Sequence, residues 1–208
     1  MTQQTEHNAD ARLDFEPLVS VLFARADSVY KSLPGVDVWD ADRDALTWPG
    51  GTPVVAHPPC RAWGSFAHLA KPRTGERDLA LWAICQVRTC GGVLEHPKGS
   101  RLWAECGLPN PGEAPDEYGG WSLGVTQHWW GHLAEKGTKL YVCGCSPTQV
   151  PPIQLHLGDA ARYIARPRYW PEGDPRRKPE CTHAQREHTP PDFALWLVDL
   201  ARRCSFGR

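Results

Sequence analysis

The chain has 208 residues, 23 Lys+Arg against 24 Asp+Glu, and a formal net charge of −1, with 41% hydrophobic and 23% charged residues. This suits one compact domain with its own core and excludes a disordered tail protein, a fibre, a coiled coil and a strongly basic nucleic-acid coat. No apolar run reaches the roughly 18 residues of a membrane span, and the polar start MTQQTEHNADARLDF has no secretory h-region, so the chain reads as cytoplasmic.

Residues 1–16 read as a flexible N-terminus. Leu18–Phe23 is a short apolar run of buried-strand type. A turn follows, and Asp27 or Ser28 is placed to cap a short helix through Val29, Tyr30 and Leu33, stopped by Pro34-Gly35. Val36–Trp39 predicts a second strand ending at Asp40, and Pro53–Ala56 a third that runs into His57-Pro58-Pro59-Cys60. From Thr74 to Cys90, Leu79, Trp82, Ala83, Val87 and Cys90 recur at helical spacing. Gly91-Gly92 ends that helix, and Val93-Leu94 begins a strand that stops at Glu95-His96-Pro97. Residues 98–122 read as loop, 140–143 as a strand, and 146–188 as a Pro- and Arg-rich region of poor periodicity. Thr189-Pro190-Pro191-Asp192 gives an N-cap, a proline at the first helical position and an acid in the first turn, ahead of an apolar stripe through Phe193, Trp196, Leu197, Leu200 and Ala201. Strands alternating with helices predict an α/β layered domain with a mostly parallel sheet, and ligands beyond the carboxyl ends of its strands. Asp40, Cys60 and Glu95 all fall at such ends.

Three groups of residues carry candidate chemistry. Cys60 follows two prolines and precedes Arg61, whose cation would raise the thiolate population and make a usable nucleophile. Glu95, between an apolar strand and a proline, is expected to have a raised pKa and to act as an acid. Arg162, Arg166, Arg168, Arg176, Arg177 and Lys178 are interleaved with Tyr163, Tyr169 and Trp170, a pattern suited to a nucleic-acid backbone and unstacked bases. The ten tryptophans serve core packing or base stacking. The eight cysteines, expected reduced in a cytosol, are core fillers, metal ligands or nucleophiles. Cys143, Cys145, Cys181 and His183 supply enough soft ligands for a zinc ion, at spacings unlike the usual knuckles. A His57/Cys60 pair is a further candidate.

In order along the chain, Pro59-Cys60, Glu95-His96-Pro97, Gly124-Val125-Thr126-Gln127 and Leu140–Gly144 resemble the motifs of the DNA cytosine-5 methyltransferases, specifically a small, divergent phage or prophage-type member. Val21–Ala24 is similar to the start of that family's cofactor loop, and Asp40–Ala45 to its acidic ribose-binding segment. The resemblance implies a Rossmann-like methyltransferase core over 17–145, a reduced target-recognition region over 146–188 and a C-terminal helix over 189–208 packing on the core. It implies that Cys60 adds to C6 of a cytosine flipped out of the duplex while Glu95 protonates N3, assisted by Arg61 and His96. It implies S-adenosylmethionine as methyl donor, held by Phe23, Ala24, Asp27, Asp40 and Pro58. DNA or a pyrimidine nucleotide would meet Trp63, Ser65, Gln127, His132, Lys136, Arg166 and Arg168, with Trp63 or Trp103 supporting the extruded base.

The chain departs from the family at several of these places. The glycine-rich cofactor loop is Arg25-Ala26-Asp27-Ser28 here, and the family's Asn after Glu is His96. The short recognition region points to a protein partner for sequence targeting. Two further readings therefore stand beside the first. One is a pyrimidine C5-modifying enzyme using another donor or acting on a nucleotide or single strand. The other is an inactive methyltransferase-like module that binds DNA or inhibits a partner.

Overall fold

The computed structural model describes residues 18–64, 67–156, 158–165 and 170–204. Six strands form one sheet: β1 (Val19–Ala24), β2 (Val36–Asp40), β3 (Val54–Ala56), β4 (Gly92–Pro97), β5 (Trp121–Thr126) and β6 (Gly137–Cys143). Their spatial order is β2-β1-β3-β4-β6-β5. The helices are α1 (Ala67–Ala70), α2 (Glu76–Cys90), α3 (Leu102–Glu105), α4 (His183–Glu187) and α5 (Pro191–Arg203).

The chain is thus α/β, with a mixed sheet and flanking helices. β1 pairs in parallel with β2 and β3, and β3 with β4. β6 runs antiparallel to both β4 and β5. The parallel half follows from the alternation of strands and helices. The antiparallel half follows from residues 127–136, a link holding one 3₁₀ turn (Gln127–Trp130), which returns the chain beside β5 without a crossover. The first two residues of β5 lie in the stretch expected to be loop. Its neighbour Gly120 explains the glycine signal: the Tyr141 ring of β6 occupies the space where a Cβ would stand.

Alternation along the strands sends side chains to two apolar layers. Val21, Val55, Val93, Leu140 and Val142 face one layer, covered by Phe193, Trp196, Leu197 and Leu200 of α5. Leu22, Val54, Ala56, Leu94 and Tyr141 face the other, covered by Ala80, Ala83, Ile84 and Val87 of α2. Burying both faces favours the β-branched strand runs seen here. α5 starts one position later than its sequence signal. Pro191 takes the first helical position, and the preceding Pro190 is held extended (φ −57°, ψ 141°), as a residue before proline must be. No helix among the described residues is long and apolar enough to cross a membrane.

Candidate active site

Beyond the carboxyl ends of β1 and β3 the chain diverges, from β1 toward β2 on one side and from β3 toward β4 on the other. Such a switch point opens a crevice in α/β sheets. His57-Pro58-Pro59-Cys60 runs into it. The His57 N–H continues the strand pairing by donating to the Leu22 carbonyl (3.0 Å), and two prolines then stiffen the path. Cys60 precedes the 3₁₀ turn Arg61–Trp63 and is solvent-exposed.

Glu95 enters from β4, on the face that α5 covers. Its carboxylate is the centre of a polar chain. Oε2 meets His57 Nδ1 at 3.0 Å, and Oε1 accepts from Gln127 Nε2 at 3.1 Å. The far nitrogen of His57 meets the Tyr30 hydroxyl at 2.9 Å, and Gln127 Nε2 also reaches Thr138 Oγ1 at 3.1 Å. Tyr30, Gln127 and Thr138 are buried, so each link satisfies a polar group that water does not reach.

Burial pushes the Glu95 pKa up, but hydrogen bonding from His57, with the charges of His57 and Lys136, outweighs it and holds the group at about 2. This corrects the expectation of a raised pKa. Glu95 rests as a carboxylate, because the strand that desolvates it also aims it at cationic and amide donors. The Cys60 expectation is corrected too. Surrounding protein and the Glu95 charge raise its thiol above the ordinary value, while Lys136 pulls it down. Arg61 takes no part in this, because its guanidinium turns to the buried Glu76 (2.8 Å), which also accepts from the Arg73 N–H.

His96, next along β4, points to the opposite face and lies fully buried, edge-on to Trp103. Burial lowers its pKa to about 4, with Glu95 and the Pro59 carbonyl opposing. It therefore backs the Cys60 loop as a neutral ring rather than joining Glu95 in chemistry. Trp63 is 1% exposed with Arg77 stacked on its ring at 3.9 Å, and Trp103 is buried with its Nε1 on the Pro97 carbonyl. Neither is a surface for an extruded base; both are core.

The residues expected to hold a cofactor separate. Phe23 sits in a β-bulge with φ +62°, which swings its ring to Trp82 on the α2 side, while Ala24 packs toward α5. Asp40 is engaged on both oxygens, by Lys31 (2.6 Å) and by the turn amides of Asp42 and Arg43. Pro58 is buried. Asp27 alone of the five lines a cavity of about 510 Å³, together with Arg25, Trp130, His132, His188 and Asp192. Arg25 bridges Asp27 and Glu187 at its edge.

Among the residues expected to meet the substrate, Gln127 is bound to Glu95 as described. His132 is buried against the carbonyls of Ala134 and Gln185 (2.9 and 3.0 Å), so it ties the β5–β6 link to α4 rather than reaching outward. Lys136 stays partly exposed, close enough for its charge to act on both Cys60 and Glu95. Ser65, Arg166 and Arg168 lie outside the described residues, as does the N-terminal segment 1–16. In the 146–188 region Arg176 stacks on Trp170 at 3.6 Å and pairs with Asp174. The zinc reading fails on geometry. Cys145 lies against Cys204, Cys181 is buried elsewhere and His183 stands exposed beside Glu187. Among the described residues no group of three or more His, Cys, Asp or Glu is placed to hold a metal.

Tyr30 was expected only as a position in a short helix, and His57 only as a partner for Cys60. Both His57 nitrogens are taken by Glu95 and Tyr30. The available signal was Tyr30 itself, an apolar helix position whose hydroxyl needs a partner once buried. Comparison with known proteins found no family model, curated protein or solved structure that matches the chain.

Proposed function

We infer that the chain is an enzyme of the DNA cytosine-5 methyltransferase type, modifying C5 of a pyrimidine with Cys60 as nucleophile. What supports this reading is the placement of Cys60 just after β3 and of Glu95 in the neighbouring β4, with the carboxylate charge raising the thiol. The Cys60 sulfur, once ionised, forms a bond to C6, and the ring electrons move to C5. Lys136 favours that thiolate. Glu95 receives N–H groups of the ring edge, and the proton shared between His57 Nδ1 and Glu95 Oε2 is the one available to ring N3. Tyr30 and Gln127 hold the two acceptors in place.

The 510 Å³ cavity has the volume for a methyl donor of nucleoside size; its Asp192 suits a cationic group and its Trp130 wall an apolar one, while Asp27 is held on both oxygens by Arg25. S-adenosylmethionine supplies an electrophilic methyl group when bound. Asp40 does not fit the ribose role expected of it, since its oxygens are occupied.

The test separates the pyrimidine chemistry from the donor. Addition at C6 makes the hydrogen on C5 exchangeable, so tritium at C5 is released to water without any donor. Duplex DNA, single-stranded DNA and deoxycytidine monophosphate carrying that label are each incubated with the protein. Release is expected from at least one, and Cys60→Ala should abolish it. Absence of release from all three overturns the reading. Release with no methyl transfer from labelled S-adenosylmethionine keeps the C5 chemistry and assigns it another electrophile.

A further inference from the structure

Away from the crevice, the far end of the sheet brings two thiols together. β6 ends at Cys143, Gly144 turns with φ +91°, and Cys145 follows. The Cys145 Sγ lies 3.0 Å from the Sγ of Cys204, the residue that closes α5. The two are 59 positions apart in the chain. Their backbones are fixed independently. The Cys145 carbonyl accepts from Trp121 Nε1 at 2.7 Å. The Cys204 backbone seats so closely on Gly91 and Gly144 that a Cβ on Gly91 would meet its carbonyl oxygen. Cys145 is partly exposed, while Cys204 is buried, with its Sγ 3.2 Å from the Leu200 carbonyl oxygen.

We propose that Cys145 and Cys204 form a reversible disulfide when the protein meets a low-molecular-weight disulfide, and that this bond clasps the C-terminal end of α5 to the end of β6. A bonded pair is separated by about 2.05 Å, so closure asks for a shift of about 1 Å, within reach of a side-chain rotation. The hydrogen bond from Cys204 and the Arg203 cation hold the Cys145 thiol below its ordinary pKa, which makes it the attacking group. The Cys145 thiolate attacks one sulfur of the small disulfide and expels the other half as a thiolate. The neighbouring Cys145 and burial hold the Cys204 thiol protonated, so it attacks the Cys145 sulfur while passing its proton to the second half as that half leaves as a thiol. Two protein thiols are oxidised and one small disulfide is reduced to two thiols. The consequence is mechanical: the opposite end of α5, at Pro191 and Asp192, walls the 510 Å³ cavity. The clasp therefore fixes the helix that shapes that cavity.

The full-length chain is treated with oxidised glutathione, alkylated and mapped by mass spectrometry. The expected product is the intact chain less two hydrogen atoms, with a single cross-linked peptide joining 145 to 204, reversed by dithiothreitol. Hydrogen exchange in the last turn of α5 should slow on oxidation, and the thermal midpoint should rise by several degrees, as closing a long loop predicts. Cys145→Ser, at a partly exposed position that tolerates the change, should lose the cross-link and both shifts. A glutathione adduct that persists on Cys145 of the wild-type chain, or a cross-link joining other cysteines, overturns the proposal. So does a cross-link at 145–204 that leaves hydrogen exchange in α5 unchanged, since the clasp would then fix nothing.

Discussion

Glu95 and His96 are neighbours on β4, and the two sides of the sheet treat them in opposite ways. On the α5 side, Glu95 meets His57, Gln127 and, through them, Tyr30 and Thr138. On the α2 side, His96 meets the Trp103 ring among apolar neighbours. Burial disfavours charge on both. Only the α5 side answers with donors, so the carboxylate stays charged and the imidazole stays neutral. One strand thus carries a hydrogen-bonded polar chain on one face and core on the other. A pair of adjacent titratable residues at a strand end is therefore weak evidence for a joint catalytic role, because the pleat sends them apart.

The comparison breaks most visibly at Glu95. Glu95→Ala strands the His57 and Gln127 groups that faced it, and should cost about 3–5 kcal/mol in urea unfolding, the scale of leaving two partly buried hydrogen-bonding groups without their acceptor. Tritium release from C5 should vanish with it. Glu95→Gln keeps the shape, and its stability loss should be smaller, about 1–3 kcal/mol. If both variants unfold like the wild type, the polar chain is not what holds the α5 side together. Tyr30→Phe sharpens the point, since it removes only the hydroxyl on His57 and should cost about 1 kcal/mol by the same measurement.

Acid titration separates the two faces. The His96 pKa falls from 6.5 to about 4 on folding, so the unfolded chain binds the proton first. Stability contributed by the neutral ring is complete above pH 6.5 and is lost as pH falls toward about 4. The Glu95 pKa is lowered from 4.5 to about 2, so its contribution is complete above pH 4.5 and is lost as pH falls toward about 2. His96→Phe should flatten the unfolding free energy across the upper window and leave the lower one intact. Persistence of the upper slope in that variant would assign it to another group.

Much of this was legible in the sequence. Periodicity marks α2 and α5, and apolar runs bounded by glycine and proline mark β1, β2, β3 and β4. The positions of Cys60 and Glu95 at the same rim followed from those strands alone. What was not legible depends on contacts distant in sequence. The start of β5 was hidden because Gly119 and Gly120 read as loop, although Gly120 answers to the Tyr141 ring packed on it from β6. The ionisation of Glu95 was read from its apolar strand, while the groups that decide it come from β3 and the β5–β6 link. The bulge at Phe23 breaks the alternation that would have placed its side chain, and so moved an expected cofactor residue into contact with α2. Asp40 was rightly placed at a strand end, but Lys31 and two turn amides claim it.

The smallest effect tests which cation tunes Cys60. Arg61 is adjacent in sequence, yet its side chain is 46% exposed and pairs with Glu76 across the start of α2. Arg61→Ala should leave the rate of Cys60 alkylation by iodoacetamide unchanged between neutral and alkaline pH, although it leaves the buried Glu76 carboxylate on the Arg73 N–H alone. The rate is best followed in a background where the other exposed thiol, Cys85, and the partly exposed Cys145 are serine. Lys136→Ala, from a segment distant in sequence, should instead slow alkylation at neutral pH, because the thiol loses the cation that lowers its pKa. A slowing in Arg61→Ala and none in Lys136→Ala would return the activation of Cys60 to its sequence neighbour and detach Lys136 from the α5-side site.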